Sequence, residues 1–257
     1  MKFGVVTDLS NVYLLHTQGW DYIDVNIQKA FDGTKPDDEW TGANAFDDLP
    51  IPALAGAQML PASMKVVGDS VDFEALKTYV TRVAKRAGLI GTKVLVFGSG
   101  AARQVPDGFD RDRARNQIIE FLKMSGPIAR ENGAMIAVEP LNKNECNIIN
   151  SLIEAASIVR EVDHVGVKML YDSYHSWIED ESLASLRTVG SLIRHVHLAD
   201  KQNRAAPGLS GQSDYRAAFR ILKEASYQGS ISVEAKWDLE NDGSRVLEFL
   251  RKQWAKA

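Results

Sequence analysis

Four residues in this chain, Glu139, Asp172, His197 and Glu234, each close a short apolar run, in MIAVEPLN, VKMLYDSYH, IRHVHLAD and ISVEAKW. A carboxylate placed after four apolar residues must find a partner or face a polar cavity. The four positions are 33, 25 and 37 residues apart, the spacing of successive strand-and-helix repeats that bring one side chain each to a common point. Three carboxylates and one imidazole at that point would make a divalent-cation site suited to harder ions, Mn²⁺ first, with Mg²⁺ or Co²⁺ acceptable. Structural zinc would require thiolates, and Cys146 is the only cysteine. The plain alternatives are a salt bridge for Glu139 and Glu234 and a helix N-cap for Asp172. All of them would have to hold together for the site to vanish. His195 and His197 lie two apart and so face the same way on a strand. Only His197 is near enough to the strand end to reach a cation, so His195 is expected one layer deeper as a core histidine.

The elements that must position these groups are legible as apolar runs alternating with helical periodicity, the pattern of βα units and a parallel sheet. Strands are predicted at Phe3–Thr7, Tyr22–Val25, Ala53–Gln58, Lys93–Phe97, Met135–Glu139, Lys168–Asp172, Arg194–Leu198 and Ser230–Glu234. Eight units without a linker rich in Gly, Pro or Ser imply α/β architecture as one closed (β/α)8 TIM barrel, a single domain over residues 1–257. Catalytic groups in such barrels lie at the C-terminal ends of strands, where all four residues fall. Helices are predicted from Asp110 to Asn132, with Gly133 as a stop, and from about Ile148 to Val162. Ser213 and Asp214 supply cap chemistry before YRAAFRILKEA. A lone Gly98-Ser99-Gly100 lacks the third glycine of a dinucleotide fingerprint.

Composition excludes several classes. Acidic side chains outnumber basic ones by 34 to 30, so no positive field exists to hold nucleic acid. No run reaches the roughly 18 apolar residues of a membrane span. MKFGVVTDLS reads as a first strand rather than a signal peptide. One cysteine fits a reducing compartment, and a cytoplasmic protein without membrane or nucleic-acid partners is the expectation. Cys146 reads as a small buried residue and not a nucleophile.

The segments VEPLN, DSYH, HVHLAD and VEAKW resemble the sugar isomerase and epimerase group of xylose-isomerase-like barrels, among them the ketose 3-epimerases and hydroxypyruvate isomerases. The resemblance extends from Lys93 to Trp237. It implies that Glu139, Asp172, His197 and Glu234 are the metal ligands, and that Glu139 and Glu234 exchange protons with substrate. It implies further that Glu145, His175 and Arg204 contact substrate, and that the protein forms a dimer or tetramer. The loop KQNR is one residue longer than the common pattern, which leaves the place of the Arg204 guanidinium open. Asp24 and Gln58 stand where Glu and Asn are frequent, and they are expected to form the wall that sets substrate choice.

These readings converge on a metal-dependent sugar epimerase or isomerase. The expected reaction is 3-epimerisation of a ketose through an ene-diolate, with one glutamate on each face of the reacting carbon. Aldose–ketose or hydroxypyruvate-type isomerisation and dehydration of a cyclic polyol ketone begin with the same proton abstraction. A metal-dependent endonuclease for damaged DNA would need more histidines than the five present and a basic face. A silent sugar-binding barrel would not need both glutamates. Trp237 and Trp177 could stack on a sugar or pack under loops. The loop Gly98 to Arg103, or the segments 206–208 and 211–213, could hold a phosphate, although a free sugar is the favoured substrate.

Overall fold

The computed structural model describes residues 1–211 and 213–257. Strands β1 (Lys2–Val6), β2 (Tyr22–Asn26), β3 (Ala53–Ala57), β4 (Val94–Phe97), β5 (Met135–Val138), β6 (Val167–Asp172), β7 (Ile193–Leu198) and β8 (Ser230–Val233) pair in parallel in sequence order. The sheet closes where β1 meets β8, with Val5 opposite Val233. Every predicted strand is present within about a residue. Glu139 and Glu234 fall just past their strands, but their backbone N–H groups still donate to Phe97 and Leu198 of the neighbouring strands. Both carboxylates are therefore carried on fixed backbone.

Alternation divides the core in two. Outward residues such as Phe3, Val5, Ile23, Val25, Leu95 and Phe97 pack against the surrounding helices, while Tyr22, Ala55, Val94, Val96, Ala137 and Leu170 fill the barrel interior. Gly4 is required there, because a Cβ would sit 2.5 Å from the Tyr22 ring. Among the described residues no helix is long and apolar enough to cross a membrane.

Caps hold the helix starts near the barrel mouth. Asp72, Asp110, Ser151, Asp172 and Asp238 each accept from the backbone N–H three residues on, worth about 1 kcal/mol apiece. The helix expected from Asp110 runs Arg111–Glu131, with Gly133 at φ +77° beyond it. The next begins at Leu152 rather than Ile148. Ile149 is left-handed at φ +59°, and the Glu154 carboxylate turns back to the N–H groups of Ile149 and Asn150. Ser151-x-x-Glu154 is a capping signature in the sequence that marks this later start. The helix Arg216–Glu224 lacks the expected cap. Its N-cap position is Tyr215, and Asp214 instead accepts from the Arg216 N–H at 3.0 Å and pairs with its guanidinium.

The long excursion after β2 is pinned by one buried cation. The Arg86 guanidinium donates to the carbonyls of Phe31, Asp32 and Lys35 and to Asp37, under the Trp40 ring.

Candidate metal centre

At the C-terminal mouth, Glu139, Asp172, His197 and Glu234 each turn one donor atom to a common point, with all four atoms within 4.8 Å of one another. His197 is fully buried, and its Nδ1 lies 3.2 Å from Glu139 Oε1 and 3.4 Å from Glu234 Oε2. Neither approach has hydrogen-bond geometry. Glu139 Oε1, Asp172 Oδ2 and His197 Nδ1 are buried polar atoms without a hydrogen-bond partner. Three such atoms facing one another would be costly in a sealed interior, and a divalent cation bound among them would satisfy all three. The donor set fits the group.

Electrostatics point the same way. Burial raises the Asp172 carboxyl, and the nearby charges of Glu139 and Glu234 raise it further against the pull of His175. Burial also works to raise Glu234, but His197 and Arg204 outweigh it and hold that carboxyl at about 2. Burial would lower His197, yet Asp24, Glu139 and Glu234 push the ring upward. The cluster thus draws positive charge to the spot where the four donors meet.

Asp172 caps a helix with one oxygen and leaves the other turned to the cluster, so the cap does not exclude a place among the four donors. Oδ1 accepts from the His175 N–H at 3.0 Å and starts the helix Ser173–Ile178, while Oδ2 remains free toward the cluster. His175 is buried beside it, and its Nδ1 lies 2.8 Å from the Asn142 amide nitrogen and 3.2 Å from the Asn142 backbone N–H. Two donors on Nδ1 leave Nε2 as the ring's own donor. The Asn142 amide also reaches Glu145 Oε1 at 3.0 Å. Asn142 was not singled out from the sequence, though it stands three residues after Glu139 in VEPLN.

The loop after β7 places Arg204 in the site. Asn203 and Arg204 are both left-handed, at φ +60° and +52°. The Arg204 guanidinium then donates to Glu234 Oε2 at 2.7 Å and to Glu145 Oε1 at 3.3 Å, and lies over the Tyr174 ring. Glu145, with 40% of its side chain exposed, is the member of the group nearest solvent.

Other expectations are corrected. Asp24 is not a wall residue. It is fully buried in the middle of β2, and its Oδ2 meets His195 Nε2 at 2.9 Å, His197 Nε2 at 3.2 Å and Ser232 Oγ at 2.8 Å. Its place in YIDVN, alternating with Tyr22 and Asn26, could have signalled an inward-facing side chain. His195 is the expected core histidine, with partners on both ring nitrogens. Gln58 does stand at the mouth, left-handed at φ +57°, where its Oε1 accepts from Asn26 at 2.6 Å.

The two anion loops are turned inward. Arg103 is fully buried and donates to the carbonyls of Phe97 and Glu139, so its charge ties β4 to β5. After β7, the buried Asp200 carboxylate accepts from the Gly208 and Ser210 N–H groups and from the Tyr215 hydroxyl. Gln212 lies outside the described residues. Trp237 makes an edge contact with buried Trp20, and Trp177 packs on Tyr215, so both rings are fixed by packing rather than by the carboxylates. Cys146 is buried, as expected.

The architecture is a closed parallel barrel with a carboxylate-rich, cation-competent cluster at its C-terminal mouth. The chain belongs to the xylose isomerase-like TIM barrel family, which it matches over residues 13–253. It is 30% identical over 193 residues to a 3-dehydro-D-guloside 4-epimerase of Escherichia coli (strain K12), an alignment covering 72% of this chain and 73% of that protein. It is 32% identical over 117 residues to a D-psicose 3-epimerase of Ruminiclostridium cellulolyticum, covering 45% of this chain and 39% of that one. A crystal structure of D-psicose 3-epimerase with D-tagatose, from Clostridium cellulolyticum H10, superposes with a TM-score of 0.86 at 19% identity over 99% of both chains. The chain is an enzyme of the isomerase and epimerase class.

Proposed function

We propose that this enzyme inverts a carbon next to the carbonyl of a keto sugar, with 3-epimerisation of a free ketose as the leading reading. The observation that carries it is the convergence of two glutamates, Glu139 and Glu234, with Asp172 and His197 at one buried point. These four residues would hold a divalent cation, Mn²⁺ by donor chemistry. When bound, that cation would stabilise the negative charge that grows on the substrate oxygens as the C–H proton leaves.

The residues themselves account for the rest. Inversion needs one group to take a proton from one face and another to return it on the opposite face. Glu139 and Glu234 follow β5 and β8, three strands apart around the mouth, so each can approach one face of a substrate held between them. Arg204 holds Glu234 in place through a charge-assisted bond at 2.7 Å. Gly98 gives Glu139 its room, since a Cβ there would stand 1.7 Å from Oε2. His175, its Nδ1 engaged by Asn142, presents Nε2–H to a substrate oxygen. Glu145 and Arg204 line the entrance and would bind hydroxyl groups. Trp237, half-buried with its ring held edge-on by Trp20, could line the apolar side of a sugar.

A second reading is epimerisation at C4 of a 3-keto glycoside. The 4-epimerase relative favours it, because it aligns over 72% of the chain against 45% for the 3-epimerase. Both reactions invert the carbon beside a ketone. The test is incubation of the Mn²⁺-loaded protein in D₂O with ketohexoses and, separately, with a 3-keto glycoside, followed by NMR. Deuterium at C3 of the ketose supports the leading reading and deuterium at C4 of the glycoside the second. No exchange in either sinks both.

A further inference from the structure

Beneath the cluster, within the barrel, lies a second polar group that the proposed reaction does not use. Asp24, His195, His197 and Ser232 are all fully buried, and the Tyr22 hydroxyl adjoins them at 2.7 Å from Ser232 Oγ. One oxygen, Asp24 Oδ2, receives both imidazole Nε2 atoms and the Ser232 hydroxyl. We propose that Asp24 is a positioning residue which fixes the proton of His197 on Nε2 and thereby makes Nδ1 available as a metal ligand. This rests on the metal reading of the cluster above it.

The argument turns on which nitrogen keeps its hydrogen. A neutral imidazole carries one proton, and only the bare nitrogen can bind a cation. His197 stands between opposing carboxylates: Glu139 and Glu234 face Nδ1 at 3.2 and 3.4 Å, and Asp24 faces Nε2 at 3.2 Å. An ionised carboxylate only accepts, so each side competes for the ring's hydrogen. Without Asp24, the Nε2 hydrogen would have no partner in a fully buried interior. The ring would then keep its hydrogen on Nδ1, aimed at the two glutamates, and could not ligate through that atom. With Asp24 present, the hydrogen on Nε2 is held below, so that it is Nδ1 which gives up its proton to an arriving cation.

The surroundings keep Asp24 in its accepting form. His195 donates to it from Nε2, since an ionised carboxylate only accepts, and its Nδ1 is left to the Ser230 hydroxyl at 3.2 Å. Ser232 donates as well, and can take a hydrogen from Tyr22 in turn. The donors come from β7 and β8 and the acceptor from β2, so the group spans the barrel and sets the ring plane of His197. Carboxylates that accept from a ligating histidine typically change metal affinity by about 10–100-fold when removed.

Two measurements test this. Mn²⁺ is titrated against a competing fluorescent chelator for the wild type and Asp24→Leu, a variant of similar size with no atom that can accept from either ring. The wild type should bind one equivalent, and the variant should bind it about 10–100-fold more weakly while its thermal unfolding stays cooperative. Equal affinity in a folded variant overturns the proposal and leaves the metal site standing. No binding by the wild type removes the metal reading itself. A second equivalent that disappears in His195→Gln would mean that Asp24, His195 and His197 are themselves a cation site, which also overturns the proposal. Should Asp24→Leu fail to fold, ¹⁵N spectra of the histidine rings in wild-type protein loaded with Mg²⁺ decide: hydrogen on Nε2 of His197 supports the assignment and hydrogen on Nδ1 refutes it.

Discussion

Strands β5–β8 and strands β1–β4 face each other across one barrel mouth, but they are built from different residues. The first group ends in Glu139, Asp172, His197 and Glu234. The second places Gly4, Ala55, Ala57, Val96 and Gly98 at its inner positions, with Asp24 as its one buried charge. Donor atoms are concentrated on one side, as the proposed cation would require, since it needs several ligands within a few ångströms. Space is concentrated on the other because the carboxylates and the substrate must fit between the walls. Conserving the reacting groups on β5–β8 while varying the opposite wall is a way to keep one chemistry and change the sugar.

The largest effect should come from the reacting side. Glu139→Gln and Glu234→Gln each keep the shape of the side chain but remove a proton carrier, so turnover should fall about 10²–10⁴-fold. Rates of deuterium wash-in at the reacting carbon measure this directly. A residual rate within tenfold of wild type for either variant would mean that one glutamate suffices, and that the reaction is isomerisation rather than inversion.

Gly98→Ala probes the opposite wall at its closest approach. The new methyl would stand 1.7 Å from Glu139 Oε2, so the carboxylate must move by more than an ångström. Displacements of that order cost about 10²-fold in rate. Gly98 lies on the side that supplies space, yet its substitution should behave like loss of a reacting group, with Mn²⁺ binding weakened as well. Unchanged kcat/KM would show that Glu139 has an alternative place and that the empty side is not required.

A smaller loss is expected at Asn142, where one side chain serves two substrate-facing groups. Its amide holds the His175 ring and Glu145, and Asn142→Ala frees both. Loss of a buried hydrogen-bond partner costs about 1–3 kcal/mol, or roughly 5–150-fold in kcat/KM. Mn²⁺ affinity should stay within threefold, because neither His175 nor Glu145 belongs to the four-donor cluster. Isothermal titration on the same preparation separates the two.

The division between the halves also explains what could be read from the chain beforehand. All eight strands and the four converging residues were legible, because a charged group at the end of an apolar run is an exception to burial that sequence pattern exposes. Asp24 was visible as a residue but was assigned to the substrate wall. Its real partners, His195 and His197, lie more than 170 positions away, and nothing in local spacing announces such a contact. The inward roles of Arg103 and Asp200 are hidden from the sequence for a related reason. A loop rich in Gly and N–H groups looks the same whether those groups face a ligand or a buried side chain of the same molecule. Asn142 and Gly98 adjoin motifs that were read, but their importance depends on angles and clearances that only three dimensions supply.

Gln58 offers the smallest effect and the sharpest check on whether the halves are separable. It stands at the end of β3 in a left-handed conformation, which costs a side chain other than Gly or Asn of order 1 kcal/mol, and its amide oxygen accepts from Asn26 at 2.6 Å. Both side chains are near solvent, so that bond contributes little to stability. Gln58→Asn keeps an amide, suits the left-handed backbone better and shortens the reach toward Asn26. The variant should therefore unfold at the same temperature or slightly higher, bind Mn²⁺ as wild type does, and keep kcat on its best substrate within about twofold. The ratio of kcat/KM for two ketohexoses differing in one hydroxyl should change by about three- to tenfold, the equivalent of one exposed polar contact. A parallel fall in metal affinity would join Gln58 to the cluster across the mouth. The opposing half would then share in the chemistry instead of shaping the space in front of it.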